Sequence, residues 1–424
     1  MAHPLITALK NFKGNARGVV YTEPLWGIPY NLYAPYVSVY MLALGLTDRQ
    51  IGTIISIGLA CQTVMSLISG MITDKLGRKR STLIADIFAW AVPTLIWGIS
   101  QNFYYFVVAA IFNSTWRVAN TSWTCLFVED RQTEPKQLVD IYSWLYISGL
   151  LTAFVAPIAG LLIHYFSLVP TMRGLYLFAS VMMTIKLLST NAMVKETEHG
   201  LKRMSETKHQ SILANLGEYK GVFRTILKSP RTLYTLGIML VMSSCTTVSN
   251  TFWSILVTSR LHIPAPDLAY YAFARSTIML VFFFVAMPAI REMHFKRPML
   301  FGFAGYIVSL LILINIPEKN YFLLLVSTLL EACSYATVSP QVDRMVAVSL
   351  DAQERARVMA IIYMIVIIFT TPFGWIAGAL SQINRVLPFM VNIGLFAIGG
   401  VLAFLAARLP TPKSIHPTPL ESDF

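Results

Sequence analysis

The 424-residue sequence predicts an all-α membrane protein of twelve transmembrane helices, arranged as two six-helix halves related by pseudo-symmetry. Three observations predict it. The chain is 55% hydrophobic and only 13% charged, with a mean hydropathy of +0.60, whereas an ordinary soluble domain carries roughly 25% charged residues. Twelve segments contain about 20 mostly apolar residues each, enough to cross the hydrocarbon core of a bilayer as a helix. The basic residues between them are asymmetric. With both termini cytoplasmic, about 25 of the 33 Lys and Arg fall on the inner side, about 5 outside and about 3 within helices.

The first span, 19–43, contains Pro24, Pro29 and Pro35, and three prolines in one span mark a bent helix. Spans at 51–72 and 81–100 flank a short basic turn. A polar stripe runs through 103–127, and 138–165 and 173–193 complete the first half. The second half is expected at 232–258, 267–289, 298–316, 321–345, 356–380 and 387–408. The domains are then a cytoplasmic N-terminal segment 1–18, a bundle 19–193, a linker 194–231, a bundle 232–408 and a cytoplasmic tail 409–424. From Lys195 to Arg231 the linker carries eight bases against four acids, and 211–227 has an amphipathic pattern suited to the inner headgroup layer or to a solvated linker. The N-terminus lacks a short cleavable apolar region, so the first membrane helix is its own targeting signal.

Other classes fit poorly. The net charge of +12 sits in short loops and forms no basic face on a soluble module, so no nucleic-acid partner is expected. Cys61, Cys125, Cys245 and Cys333 lie in apolar segments without metal-ligand spacing, and they imply neither disulfide, metal nor cofactor. No nucleophile–base constellation suggests an enzyme. No G-x-x-x-x-G-K-[ST] loop is present, so the energy for any transport comes from a gradient of ions or substrate.

The stretch from Gly70 to Arg80 reads G-M-I-T-D-K-L-G-R-K-R. The pattern G-x-x-x-D-[RK]-x-G-[RK]-[RK] resembles the loop between the second and third helices of major facilitator superfamily (MFS) transporters, with Gly70, Asp74, Lys75, Gly77, Arg78 and Lys79 filling the defining positions. The resemblance implies the MFS fold and alternating access, in which the halves rock about a midplane site. It also implies that Asp74 lies near the N-terminus of the eleventh helix. There the helix dipole favours a carboxylate by up to ~2 kcal/mol, which latches the halves on the cytoplasmic side in the outward-open state. Arg78 is expected to pair with Glu129 or Asp130 at the end of the fourth helix. Gly70 is expected to permit close helix approach and Gly77 a tight turn. The corresponding place in the second half, 287–299, has lost the glycines and the acid.

Ionisable residues inside a span cost at least ~2.5 kcal/mol each and are functional candidates. Arg117 shares a helical face with Asn113, Asn120, Thr121 and Thr124, and it reads either as a substrate-binding group or as the partner of a buried carboxylate. Glu331, near the middle of the tenth span, reads as a proton carrier or as a permanent partner of Arg275. Glu23, about one turn from the inner surface, reads as a coupling residue or as a group reaching the headgroups. Asp86 and Lys186 read as a structural pair. In the MFS, helices one, four, seven and ten line the cavity, and all four carry polar stripes here. Trp26, Tyr30, Asn31, Asn250, Trp253 and Tyr335 complete the candidate substrate site. Pro157 to Gly160 is a partial likeness to the fifth-helix signature of exchanging antiporters, lacking the glycine before the proline.

The expected function is secondary active transport of a small organic solute, coupled to protons as an antiporter or symporter, by a monomer in the cell membrane. Export of drug-like or amphipathic compounds leads. Proton-coupled uptake of a sugar or organic anion is the alternative, and a non-transporting sensor or scaffold with the same fold is a remote one.

Overall fold

A computed structural model describes residues 4–130, 135–208, 229–286, 290, 293, 296–349 and 355–408. Every regular element among them is helical. Hydrocarbon offers backbone groups no partners, so each apolar segment satisfies its own peptide groups as a helix. In chain order these are α1 (Pro4–Asn11), α2 (Gly14–Thr22), α3 (Pro24–Tyr33), α4 (Val37–Ala43), α5 (Asp48–Leu76), α6 (Arg78–Asp86), α7 (Val92–Ile99), α8 (Phe103–Asn113), α9 (Trp116–Val128), α10 (Pro135–Thr152), α11 (Ala156–Phe166) and α12 (Leu168–Met193). After α13 (Glu198–Thr207) come α14 (Pro230–Ser259), α15 (Leu268–Val285), α16 (Lys296–Asn315), α17 (Tyr321–Ser349), α18 (Arg355–Ile383) and α19 (Leu387–Ala406).

Ten helical stretches among the described residues are long and apolar enough to cross a membrane, matching ten of the expected spans. The first and fourth expected spans are interrupted instead. The first is α2, α3 and α4 in series, with a slight break at Glu23 before Pro24 and a 3-10 turn at Ala34–Tyr36 around Pro35. In the fourth, the Ser114 hydroxyl donates to the Ile111 carbonyl at 2.6 Å and Thr115 to the Phe112 carbonyl at 2.8 Å. Such short back-bonds compete with the helical ladder and separate α8 from α9. The expected amphipathic segment 211–227 and the tail 409–424 lie outside the described residues, as does most of 287–299.

Buried aromatic residues bind the first helices to their neighbours. Tyr33, Tyr36, Tyr40 and Tyr176 are almost fully enclosed, and the Tyr40 hydroxyl donates to the Trp97 carbonyl at 3.0 Å. Helix α5 begins at a capping box: Thr47 Oγ1 accepts from the Gln50 amide while Gln50 Oε1 accepts from the Thr47 amide. About 40 Å of helix then separates this end from Asp74 at the other.

At the Thr47 end, α5 lies directly against α18. A Cβ on Gly378 would stand 2.7 Å from the Asp48 carbonyl oxygen and 3.0 Å from Gly52 Cα, and one on Gly52 would overlap the Gly374 carbonyl oxygen. The Ser56 hydroxyl accepts from the Trp375 amide at 2.8 Å and donates to the Thr371 carbonyl at 2.6 Å. Those two groups form one i to i+4 rung of α18, so a side chain from the first half is inserted into the ladder of the second. Buried Asp48 accepts from the Ser381 hydroxyl at 2.6 Å and from Arg385 Nε at 3.4 Å, and Arg49 lies over the Trp375 ring. Gly160 of α11 meets Pro266 and Ala269 in the same way.

Gly52→Val is therefore expected to force this seam apart. In a cysteine-free background, Ser381→Cys, at a position buried in the seam, should react with a membrane-impermeant maleimide several-fold faster when Gly52→Val is added. Equal rates would show that the seam does not hold this end closed.

Candidate functional site

Two sets of functional candidates stand apart along the bundle. At the end away from the glycine seam, Gly77 has φ +85° and joins α5 to α6 in the turn expected of it. Its Cβ would meet the Glu196 carboxylate at 2.5 Å. That carboxylate caps α6, accepting from the Arg78 amide at 3.0 Å and the Lys79 amide at 2.9 Å. The Arg78 side chain, 3% exposed, donates from Nε and Nη2 to the two Glu129 oxygens at 2.8 and 3.2 Å, and from Nη1 to Asp74 at 3.0 Å. Asp130 is held from another side. It accepts from the Asn15 amide at 2.7 Å.

Asp74 is not placed against the eleventh helix by any hydrogen bond or ion pair among the described residues. Its second oxygen accepts from Arg203 Nε and Nη2 at 3.1 and 2.8 Å, and its carbonyl accepts from the Thr207 hydroxyl at 3.3 Å. The hydrogen bond to Asp74 holds the Arg203 guanidinium above its ordinary pKa. Helix α13 explains the difference: capped by Thr197 through the Gly200 amide, it lies across the motif and brings Arg203 to the carboxylate expected at the eleventh helix. Thr197 also donates to Glu129 at 3.1 Å. Gly70 also departs from expectation, since a Cβ there would meet nothing within 4 Å, and Lys75 is exposed.

Six charged residues lie deeper. Arg275 Nη2 on α15 donates to Glu331 Oε1 on α17 at 3.1 Å, and its guanidinium carbon is 5.8 Å from the centre of the Tyr335 ring. Lys186 Nζ stands 3.8 Å from Asp86 Oδ2, both side chains being 7% exposed, with Glu23 in electrostatic reach of both. No hydrogen bond or ion pair engages the Glu23 side chain among the described residues. Arg117, in the first turn of α9, donates from Nε to Gln62 Oε1 of α5 at 3.2 Å and lies 4.0 Å from the Trp116 ring centre.

The remaining candidates divide. Trp26 stacks on Tyr30 at 4.7 Å and meets Trp90 edge-on at 5.1 Å, forming an aromatic cluster. Buried Trp26 Nε1 has no partner among the described residues. The Asn31 amide is used by Gly27 and Thr152, and the Asn113 amide by the Ala89 carbonyl, so both are occupied by neighbouring backbone or helices. Thr121 bonds back to the Arg117 carbonyl, Asn120 and Asn250 are exposed, and Trp253 packs edge-on against Tyr271.

A protein-family model, the MFS_1 like family, matches residues 31–386. The chain belongs to that family. This transporter family is part of the MFS, the superfamily whose loop the stretch from Gly70 to Arg80 resembles. Solved structures share the fold at low identity. The nucleoside transporter NupG superposes with a TM-score of 0.72 at 12% identity, covering 94% of this chain and all of that one. A POT family transporter in complex with 5-aminolevulinic acid gives 0.70 at 12%, covering 92% and 95%. A bacterial homolog of the human lysosomal transporter Spinster, in an inward-facing and unoccupied conformation, gives 0.69 at 12%, covering 96% and 98%. No curated protein sequence matches. The chain is thus a multi-pass membrane protein of a transporter family, which argues against an enzyme.

Several residues of this MFS_1 like protein escaped the sequence reading. Gly374 and Gly378 form a G-x-x-x-G pair, a pattern that permits close helix contact. Thr197, followed by Glu198 and three residues later by Gly200, carries an N-cap signal that locates α13. Gln62 and Ser56 had no signal, because a lone polar residue in a span names no partner.

Proposed function

We propose that this MFS_1 like protein is a proton-coupled secondary transporter that moves a small organic solute by alternating access, as a monomer in the cell membrane with both termini cytoplasmic. Export of a drug-like or amphipathic compound leads, and uptake of a sugar or organic anion is the alternative. The observation that carries alternating access is the dissimilarity of the two ends. The halves are knitted together by the Gly52, Gly374 and Gly378 seam at one end, while at the other the motif is engaged by its own half and the linker helix. That arrangement suits a state open on the motif side. Breaking the seam and transferring Asp74 from Arg203 to the second half would produce the reverse state.

Of the two carboxylates nominated as proton carriers, Glu331 is already neutralised by Arg275. Glu23 makes the better carrier. It shares one lysine with Asp86, so the cluster of two acids and one base has an excess negative charge that a single proton cancels. Purified protein in proteoliposomes should accumulate substrate from a panel of sugars, organic anions and lipophilic cations only when a pH gradient is imposed. Glu23→Gln should abolish accumulation while retaining substrate exchange, which needs no net proton movement. Normal accumulation by that variant would exclude Glu23 as the carrier.

A further inference from the structure

Arg117 is a cation without a counter-ion among the described residues. It lies beyond the break between α8 and α9, near the middle of the expected fourth span, where an uncompensated charge is costly. Among the described residues no carboxylate lies within ion-pair distance of it. The contacts it makes are neutral: Gln62 takes the Nε hydrogen, and the Trp116 ring supports one face of the guanidinium. Both terminal nitrogens therefore keep their hydrogens unassigned, in the planar fork that matches two oxygens of a carboxylate or phosphate.

The other intramembrane cations differ in this respect. Arg275 has Glu331 and Lys186 has Asp86. The backbone around Arg117 is also spent: its own amide donates to the Ser114 carbonyl, and those of Val118 and Ala119 donate to Thr115. The positive charge available at this point is thus the side chain alone. Across the boundary between the halves stands Tyr363 of α18, in electrostatic reach of Arg117 and also of Asp343 on α17. Gln62 and Arg117 come from α5 and α9, while Tyr363 of α18 stands in electrostatic reach of the guanidinium.

We infer that the solute carried by this protein is an organic anion whose carboxylate or phosphate is received by the Arg117 fork, with an apolar or aromatic body against Trp116. The inference rests on the transport reading above and holds for either direction of movement. The ligand supplies the charge that the fold withholds. An empty site then has an unfavourable buried cation and a filled one has a pair, which makes binding depend on the sign of the ligand's charge. Asp343 is the competing partner: if the halves closed so as to pair it with Arg117, the cation would be a gate and need no anionic ligand.

Three size-matched probes separate these cases: 2-naphthoate, 2-naphthylmethanol and 2-naphthylmethylammonium, titrated into the purified full-length protein by calorimetry and by thermal shift. The expected result is binding of the naphthoate at least tenfold tighter than of either other probe. Arg117→Gln should remove that preference, and Arg117→Lys should weaken it by about tenfold while keeping charge. The empty Arg117→Gln protein should melt higher than wild type, because an unpaired buried cation has been removed. Naphthoate binding no tighter than that of the alcohol or amine, or unchanged in Arg117→Gln, overturns the inference. So does a lower melting temperature in Arg117→Gln that Asp343→Asn matches and the double variant does not exceed. Gradient-driven flux of a neutral or cationic solute would overturn the anion while leaving the transporter standing. Failure of the transport reading would appear separately, as no gradient-driven accumulation of any solute.

Discussion

Arg78→Met is expected to lower the melting temperature of the purified protein sharply and to leave little transport. The side chain is 3% exposed and makes three charge-assisted hydrogen bonds, two of them in a bidentate pair with Glu129 and one with Asp74. Methionine fills much the same volume but takes the guanidinium away from Glu129, to which the Thr197 hydroxyl still donates. Breaking a buried ion pair costs ~3–5 kcal/mol, and the partial exposure of both carboxylates puts this one near the lower figure, about 3 kcal/mol. Asp74 keeps Arg203, so the damage falls mainly on the Glu129 side. Adding Glu129→Gln to Arg78→Met should recover part of the loss, since the stranded carboxylate is then gone. Arg78→Lys should fall between, because an ammonium cannot serve Glu129 through two parallel bonds and reach Asp74 as well. A melting temperature of Arg78→Met equal to that of wild type would mean that the network contributes nothing to the fold.

Spans are legible in this sequence because hydrocarbon imposes a single requirement on length and polarity. Ten helical stretches answer to it directly. The interruptions are less legible: Pro24 and Pro35 announce those in the first span, but the gap after Asn113 comes from Ser114 and Thr115 choosing nearby carbonyls. That choice is a local competition between hydroxyl and amide donors and leaves no periodic trace. The motif identified the turn at Gly77 but not the partner of Asp74. Its second oxygen is claimed by Arg203, 129 residues later, on a helix in a segment whose composition reads as linker. Arg117 could be singled out as a membrane cation, whereas its lack of a counter-ion is a property of three neighbouring helices and exists only once they are packed. The same holds for Asp48, an unremarkable acid at a helix start until α18 brings Ser381 and Arg385 to it.

Glu331→Gln is expected to destabilise the protein, and Arg275→Met is expected to restore it. The two residues meet through a single hydrogen bond of 3.1 Å between α15 and α17, with the Tyr335 ring beside the guanidinium. Arg275 Nε is buried and has no partner among the described residues, so the cation has little reserve once the carboxylate is neutralised. Glutamine keeps the shape and can still accept one hydrogen bond, yet it removes the charge that offsets the desolvation of Arg275. The loss should be on the order of 3 kcal/mol, seen as a lower melting temperature and a reduced yield of folded protein. In the double variant both charges are absent, and stability should return to within about 1 kcal/mol of wild type. The opposite outcome is equally specific. A Glu331→Gln protein that melts like wild type, exchanges substrate and fails only to accumulate it against a gradient would make Glu331 the proton carrier. Arg275 would then be the group that releases and recaptures it, and the cluster of Glu23, Asp86 and Lys186 would be a brace among the helices of the first half.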